Sequence, residues 1–147
     1  MILDHSRSPR NFGPSENQNL SARGYNPLCG DEVEIHLYRD GDSILREISF
    51  EGCGCAISTA SASILSEVLK GRSEAEVREI FAEFRQMVTG EGAPPSRDGL
   101  MKLQVFGGVK EFPSRPHLLQ NIRHRFQFRV LPSFGADLLL FFIQSLN

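Results

Sequence analysis

The sequence predicts an α+β domain, a small antiparallel sheet covered on one face by a layer of helices. Three observations carry that expectation. Strict alternation over "EVEIHLYR" marks a half-buried strand, and "ILREISFEG" returns after "DGD" as its partner. Two amphipathic helices then follow with no strand between them. With 147 residues, 40% of them apolar and 23% charged, the chain is long enough to bury a core of its own, so these elements belong to one globular unit.

Taken in order, "MILDHSRS" reads as the remnant of a helix, stopped by Pro9, which lacks the amide that a further turn would donate. "NFGPSENQNLSARGYNP" is dominated by turn formers. In "EVEIHLYR", Val33, Ile35 and Leu37 share one face and Glu34, His36 and Tyr38 the other. "DGD" at 40–42 supplies a tight turn, which makes an antiparallel hairpin. The period then changes. "CAISTASASILSEVLKG" offers Ser58 as N-cap, small residues for close approach to a neighbour, the stripe Ile64, Leu65, Val68 and Leu69, and Lys70-Gly71 as a stop. "SEAEVREIFAEFRQMVTG" opens on a capping box, Ser73 with Glu76, and carries the stripe Val77, Ile80, Phe81, Phe84 and Val88. "EGAPPSRDG" is a loop and "LMKLQVFGG" a short helical turn; beyond His117 the pattern has no readable period.

Charge and cysteine usage exclude several classes. Sixteen basic residues against 18 acidic ones, with no basic stripe, argue against nucleic-acid binding, and "RHRFQFR" reads as a solvated face. "DLLLFFI" falls well short of the roughly 20 apolar residues that span a bilayer. Three cysteines, an odd number, and an N-terminus with no apolar stretch of signal-peptide length point to reduced thiols in the cytoplasm, not to a secreted disulfide scaffold. Phe126, Phe128, Phe134, Phe141 and Phe142 must be buried or they will promote aggregation.

The chemistry gathers at one end of the hairpin. Cys29 and Asp31 flank Gly30 where the chain enters the first long strand, and residues two apart on an extended segment project to the same side. Cys55 precedes a helix, where free amides and the macrodipole favour an anion. The loop before the first strand of a short hairpin and the loop after its second lie together, so Cys29, Asp31 and Cys55 are expected to converge as metal ligands or sulfur nucleophiles. Spacing alone leaves a second reading open: Cys-Gly-Asp also suits a plain turn, and an unpaired cysteine is often a small buried hydrophobe.

"LDHSRSPRNFG", "NPLCGDEVEI", "FEGCGCAISTASAS", "MVTGEG" and "GGVKEFPSR" together resemble the NifU/IscU family of iron-sulfur cluster assembly scaffolds, from the first residue to about Arg115. The long insert around "EGAPPSRDGLMKLQ" is similar to the SufU-like branch. The resemblance implies an IscU/SufU-like fold over residues 1–115, with about three antiparallel strands under a layer of helices. It implies that Cys29, Asp31 and Cys55 are three of four principal ligands, to zinc or to a nascent iron-sulfur cluster, with Cys29 and Cys55 as sulfur acceptors. The implied partners are a SufS-like cysteine desulfurase, which hands over persulfide sulfur, and apo-proteins or cluster carriers that take the product. No catalytic residue is implied, although a zinc-dependent sulfurtransferase is a fair description of such a protein. The ligand set makes physical sense, because thiolates match soft centres whereas a carboxylate is a harder, more labile corner. Asp31→Ala is therefore expected to lengthen the life of a bound cluster.

The departures are as specific as the match. After "FPSR" the family continues into a third ligand cysteine, whereas this chain runs into "PHLLQNIRHRFQF" and has no cysteine after Cys55. Residues 116–147 thus form a divergent segment, such as an altered reading frame near position 116 would produce; the first helix also starts late against the family pattern. Two residues are candidates for the open position. His117 stands beside it and imidazole is a common zinc ligand, though a solvated or loosely packed histidine is the readier reading. Cys53 shares an extended Cys-Gly-Cys with Cys55, though a passive thiol fits equally. His5 is expected as an exposed helix residue, His36 on the polar face of its strand, and His124 in the unreadable tail.

Three function classes follow from this reading. The favoured one is a sulfur acceptor or cluster scaffold with no small-molecule substrate of its own. A zinc enzyme that activates water is the second, and the His-x-Glu and Pro-Cys-x-x-Cys of deaminase chemistry are missing from the sequence. The third is a relative that keeps the fold, has lost the metal chemistry and serves only as an interaction protein.

Overall fold

The structure is a computed structural model that describes residues 1–26, 30–89 and 101–111. Its elements are helix α1 (Ile2–Arg7), strands β1 (Leu20–Asn26), β2 (Asp31–Arg39) and β3 (Leu45–Cys53), helices α2 (Ala56–Leu69) and α3 (Glu74–Thr89), and a 3-10 helix over Met101–Glu111. The strands form one antiparallel sheet in the order β1-β2-β3, and the α+β architecture is the one the sequence predicts. The expected divergent segment after Arg115 lies outside the described residues.

Alternation in β2 builds the core. Val33, Ile35 and Leu37 are buried, and Ile35 and Leu37 pair with Phe50 and Ile48 of β3. Antiparallel partners share a face, so these side chains make one apolar surface. Ile64, Leu65, Val68 and Leu69 of α2 join it, as do Val77, Ile80, Phe81 and Phe84 of α3. The 3-10 helix, longer than the single turn expected, adds Leu103 and Phe106, the latter edge-on to Phe84 with ring centroids 5.7 Å apart. Each large apolar side chain so enclosed contributes about 1.5–3 kcal/mol.

Two expectations need correction here and two are met. Residues 20–26, read as turn, form β1; its inward residues, Ala22 and Gly24, are too small to show an apolar alternation. The tight turn expected at 40–42 forms, the Ser43 amide donating to Asp40 O at 3.1 Å, and the connection runs on to Ile44: the Asp40 carboxylate accepts the amides of Asp42 and Ile44 at 3.0 and 2.9 Å, and Ser43 takes a positive φ of 61°. Those bonds, chiefly that from Ile44 and then the one from Arg46, hold the Asp40 carboxyl below its usual range. Ser58 does not cap α2, because Cys55 occupies that position. The capping box of α3 forms as predicted, the Ser73 amide donating to Glu76 Oε2 at 2.9 Å and the Glu76 amide to Ser73 Oγ at 3.4 Å.

The N-terminal segment is tied down by polar contacts the sequence did not announce. His5, expected to be exposed, is buried, with Nδ1 2.7 Å from Ser63 Oγ. The same oxygen accepts the Arg10 amide at 2.8 Å, so one hydroxyl of α2 ties down both the helix and the segment after it. Burial pushes the His5 pKa below its ordinary value, and the nearby Arg10 adds to the shift. Beyond Arg10 the chain straps the outer edge of β3: Phe50 donates to Asn11 O at 3.0 Å and Gly13 donates back to Phe50 O at 2.9 Å.

Candidate metal centre

Asp31 begins β2 and is the one acid of that strand facing the core side, 9% exposed. Its Oδ1 accepts the backbone amide of Cys55 at 3.1 Å across 24 residues of sequence, which ties the start of β2 to the start of α2. Its Oδ2 is buried with no hydrogen-bond partner among the described residues. A buried carboxylate oxygen without a partner is costly, of the order of 1–3 kcal/mol, and is the kind of atom an absent cation would satisfy.

Cys55 is exposed and free, and serves as N-cap of α2 with extended backbone (φ -67°, ψ 165°). The Ser58 amide donates to its Sγ at 3.4 Å, so the thiol sits in the place where serine or aspartate caps a helix. Gly54 fits closely between these groups, since a Cβ there would stand 3.0 Å from Ser58 Oγ and 3.2 Å from Asp31 Cγ and both side chains would have to give way. Serine at 58 is thus part of the site as the residue whose amide meets the sulfur, a role the sequence pattern had assigned the other way round.

Among the candidate ligands, the structure brings Asp31 and Cys55 together. Cys53 ends β3 as a free, exposed thiol paired with Glu32, whereas Asp31 lies on the alternate face with Val33. Cys29 and His117 lie outside the described residues, and among the described residues no group of three or more His, Cys, Asp or Glu side chains stands together. The backbone on either side of Cys29 is placed: Asn26 pairs with Asp31, and Gly30 has φ 72°, a conformation open to glycine. His36 lies on the face predicted for it but is buried, with Nε2 3.1 Å from Glu51 Oε2.

The NifU-like N terminal domain family matches residues 1–117. The chain belongs to this family. Among its relatives, the zinc-dependent sulfurtransferase SufU of Bacillus subtilis (strain 168) is 36% identical over 115 residues, covering 78% of this chain and 76% of that protein. The iron-sulfur cluster assembly scaffold protein IscU of Streptococcus pyogenes serotype M1 is 33% identical over 115 residues, covering 78% and 70%. In three dimensions the chain is similar to a crystal structure of a proposed iron-sulfur cluster assembly scaffold protein for the SUF system from Fervidobacterium islandicum AW-1. The TM-score is 0.70 at 33% identity, over 78% of this chain and 82% of the other. The family resemblance carried by the sequence motifs is therefore correct, and the three-stranded sheet with its helices is the fold of the family.

Proposed function

We propose that this protein accepts sulfur from a cysteine desulfurase and assembles or relays it as an iron-sulfur precursor at Cys29, Asp31 and Cys55. The observation that carries the reading is the Asp31 carboxylate, which holds the Cys55 backbone with one oxygen and keeps the other buried and without a partner among the described residues. A buried oxygen and an exposed sulfur tied together through the Cys55 amide would supply two of the four ligands of a tetrahedral site of the kind zinc occupies. Names of the relatives, a zinc-dependent sulfurtransferase and a cluster scaffold, support the same chemistry.

Zinc as resident cofactor would be held by Asp31 Oδ2, Cys55 Sγ and Cys29, and would supply Lewis-acid stabilisation of thiolates. The chain's own residues do the rest. Asp31 fixes Cys55 at the head of α2, Ser58 orients the sulfur, and the exposure of Cys55 lets a partner's persulfide-bearing loop reach it. A nascent iron-sulfur cluster is then the cargo, passed on to apo-proteins or carriers. The protein works as a carrier and scaffold, not as an enzyme with a small-molecule substrate of its own. His117 is the candidate for the fourth position; the pairing of Cys53 with Glu32 leaves that thiol for other chemistry. The exposed free thiols suit the reducing cytoplasm, and no helix among the described residues is long and apolar enough to cross a membrane.

Zinc and iron analysis of freshly purified protein tests the reading. About one zinc per chain, lost in Cys29→Ser and Cys55→Ser, is expected, with sulfur appearing on one of these cysteines after incubation with a desulfurase and cysteine. Metal-free protein that also takes up no sulfur would refute it.

A further inference from the structure

We propose that Cys53 is a resolving thiol, which attacks a persulfide carried on Cys55 and releases its outer sulfur as sulfide. The inference rests on the sulfur-acceptor reading above and goes beyond it, since that reading ends with sulfur parked on the protein.

Both thiols are free and exposed, and only Gly54 separates them. The Cys53 thiol is exposed and lines a shallow cleft with Phe12, Gly54, Ser58 and Thr59, between the end of β3 and the first turns of α2. Its register opposite Glu32 sets it apart from Asp31, and along the chain it is joined to Cys55 through Gly54 alone. A disulfide needs Cβ atoms about 4 Å apart, whereas positions two apart on an extended chain are separated by about 6.6 Å. Closure therefore requires rotation at Gly54, the residue type with the widest torsional range. It also pulls the Cys55 amide from Asp31 Oδ1. The closed form is strained, and strained disulfides are readily reduced, as a device that must reset requires.

The step balances. The Cys53 thiolate attacks the inner sulfur of Cys55–S–SH; an S–S bond forms between the cysteines as the S–SH bond breaks, and the outer sulfur leaves as hydrosulfide. That sulfur gains two electrons, the two cysteines lose them in becoming a disulfide, and the Cys53 proton passes to solvent. An external dithiol then reduces the disulfide and regenerates both thiols.

The test uses full-length protein carrying Cys29→Ser, so that the disulfide between Cys53 and Cys55 is the only internal one available. Reduced, desalted protein receives glutathione persulfide without added thiol. Free sulfide is followed in time, and the tryptic peptide spanning 47–70, which holds both cysteines, is weighed without reduction. With Cys53 present, the peptide is expected to lose two hydrogens, and sulfide to appear about tenfold faster than from the Cys29→Ser/Cys53→Ser double variant. In that double variant the peptide should instead retain one added sulfur. Glutathione thiol released by the transfer is common to both proteins, so the difference isolates Cys53, and circular dichroism confirms that both are folded. A persulfide that persists on Cys55 equally in both proteins overturns the inference and leaves the acceptor reading standing. Absence of added sulfur on Cys55 in the double variant overturns both.

Discussion

Replacing Asp31 by alanine separates the two jobs assigned to its carboxylate. In chelator, the variant loses the hydrogen bond from the Cys55 amide, worth about 1.5–3 kcal/mol for a charged acceptor. It also loses a buried oxygen without a partner, whose burial costs about 1–3 kcal/mol. These terms oppose one another, so the metal-free variant is expected to match wild type within about 1 kcal/mol. Zinc breaks the tie. At a hundred times its dissociation constant it stabilises wild type by about 2.7 kcal/mol. If loss of a ligand weakens binding about a hundredfold, the same zinc gives the variant only about 0.4 kcal/mol. For a chain of this length, at about 3 °C per kcal/mol, that is a rise in Tm of roughly 8 °C for wild type against roughly 1 °C for the variant. The assay is a pair of thermal melts, with and without zinc, on both proteins. An equal zinc shift in the two would refute the assignment of Oδ2 to the ion. A loss of several kcal/mol in chelator would show that the bond to the Cys55 amide outweighs the cost of the buried oxygen.

Other expectations follow from groups around the site. Ser63→Ala strands both His5 Nδ1 and the Arg10 amide, and should cost about 2–4 kcal/mol in urea denaturation; a change below about 1 kcal/mol would contradict the polar lock between α1 and α2. His5 has a folded-state pKa below its ordinary 6.5, so the unfolded chain takes up its proton first. Stability should therefore be full above about pH 6.5 and decline as pH falls toward the lower folded value, well above the range where Asp40 and Glu76 titrate. His5→Gln should flatten the urea midpoint against pH in that window. Gly52→Ala would set a Cβ 2.0 Å from the Glu32 carbonyl oxygen at a φ of 142°, and a loss of at least about 3 kcal/mol is expected; a melt within 1 kcal/mol of wild type would mean that the end of β3 adjusts freely.

How far the sequence could be read depended on side-chain size and on distance along the chain. β2 was legible because Val33, Ile35 and Leu37 are large and alternate with polar residues, whereas β1 turns only Ala22 and Gly24 into the core between its ends and so shows no period. The stripe of α2, that of α3 from Val77 to Phe84, and the Ser73–Glu76 box are local signals and are met in the structure. At the site, the proximity of Asp31 and Cys55 followed from hairpin geometry, but the cap did not. Cysteine is an unusual N-cap, and serine three residues later imitates the usual one. His5 was misjudged for a related reason: its partner Ser63 lies 58 residues away, and no local pattern encodes that meeting.

Six residues are too few to hold a helix in water, where even favourable sequences need about 12–15. α1 is therefore helical because α2 offers it a landing place, a row of small serines with one hydroxyl for its histidine. Its folding is borrowed, and it should be the first described element to let go when the protein breathes. Amide exchange at its few protected hydrogens would then report the detachment of a tether long before the sheet itself gives way.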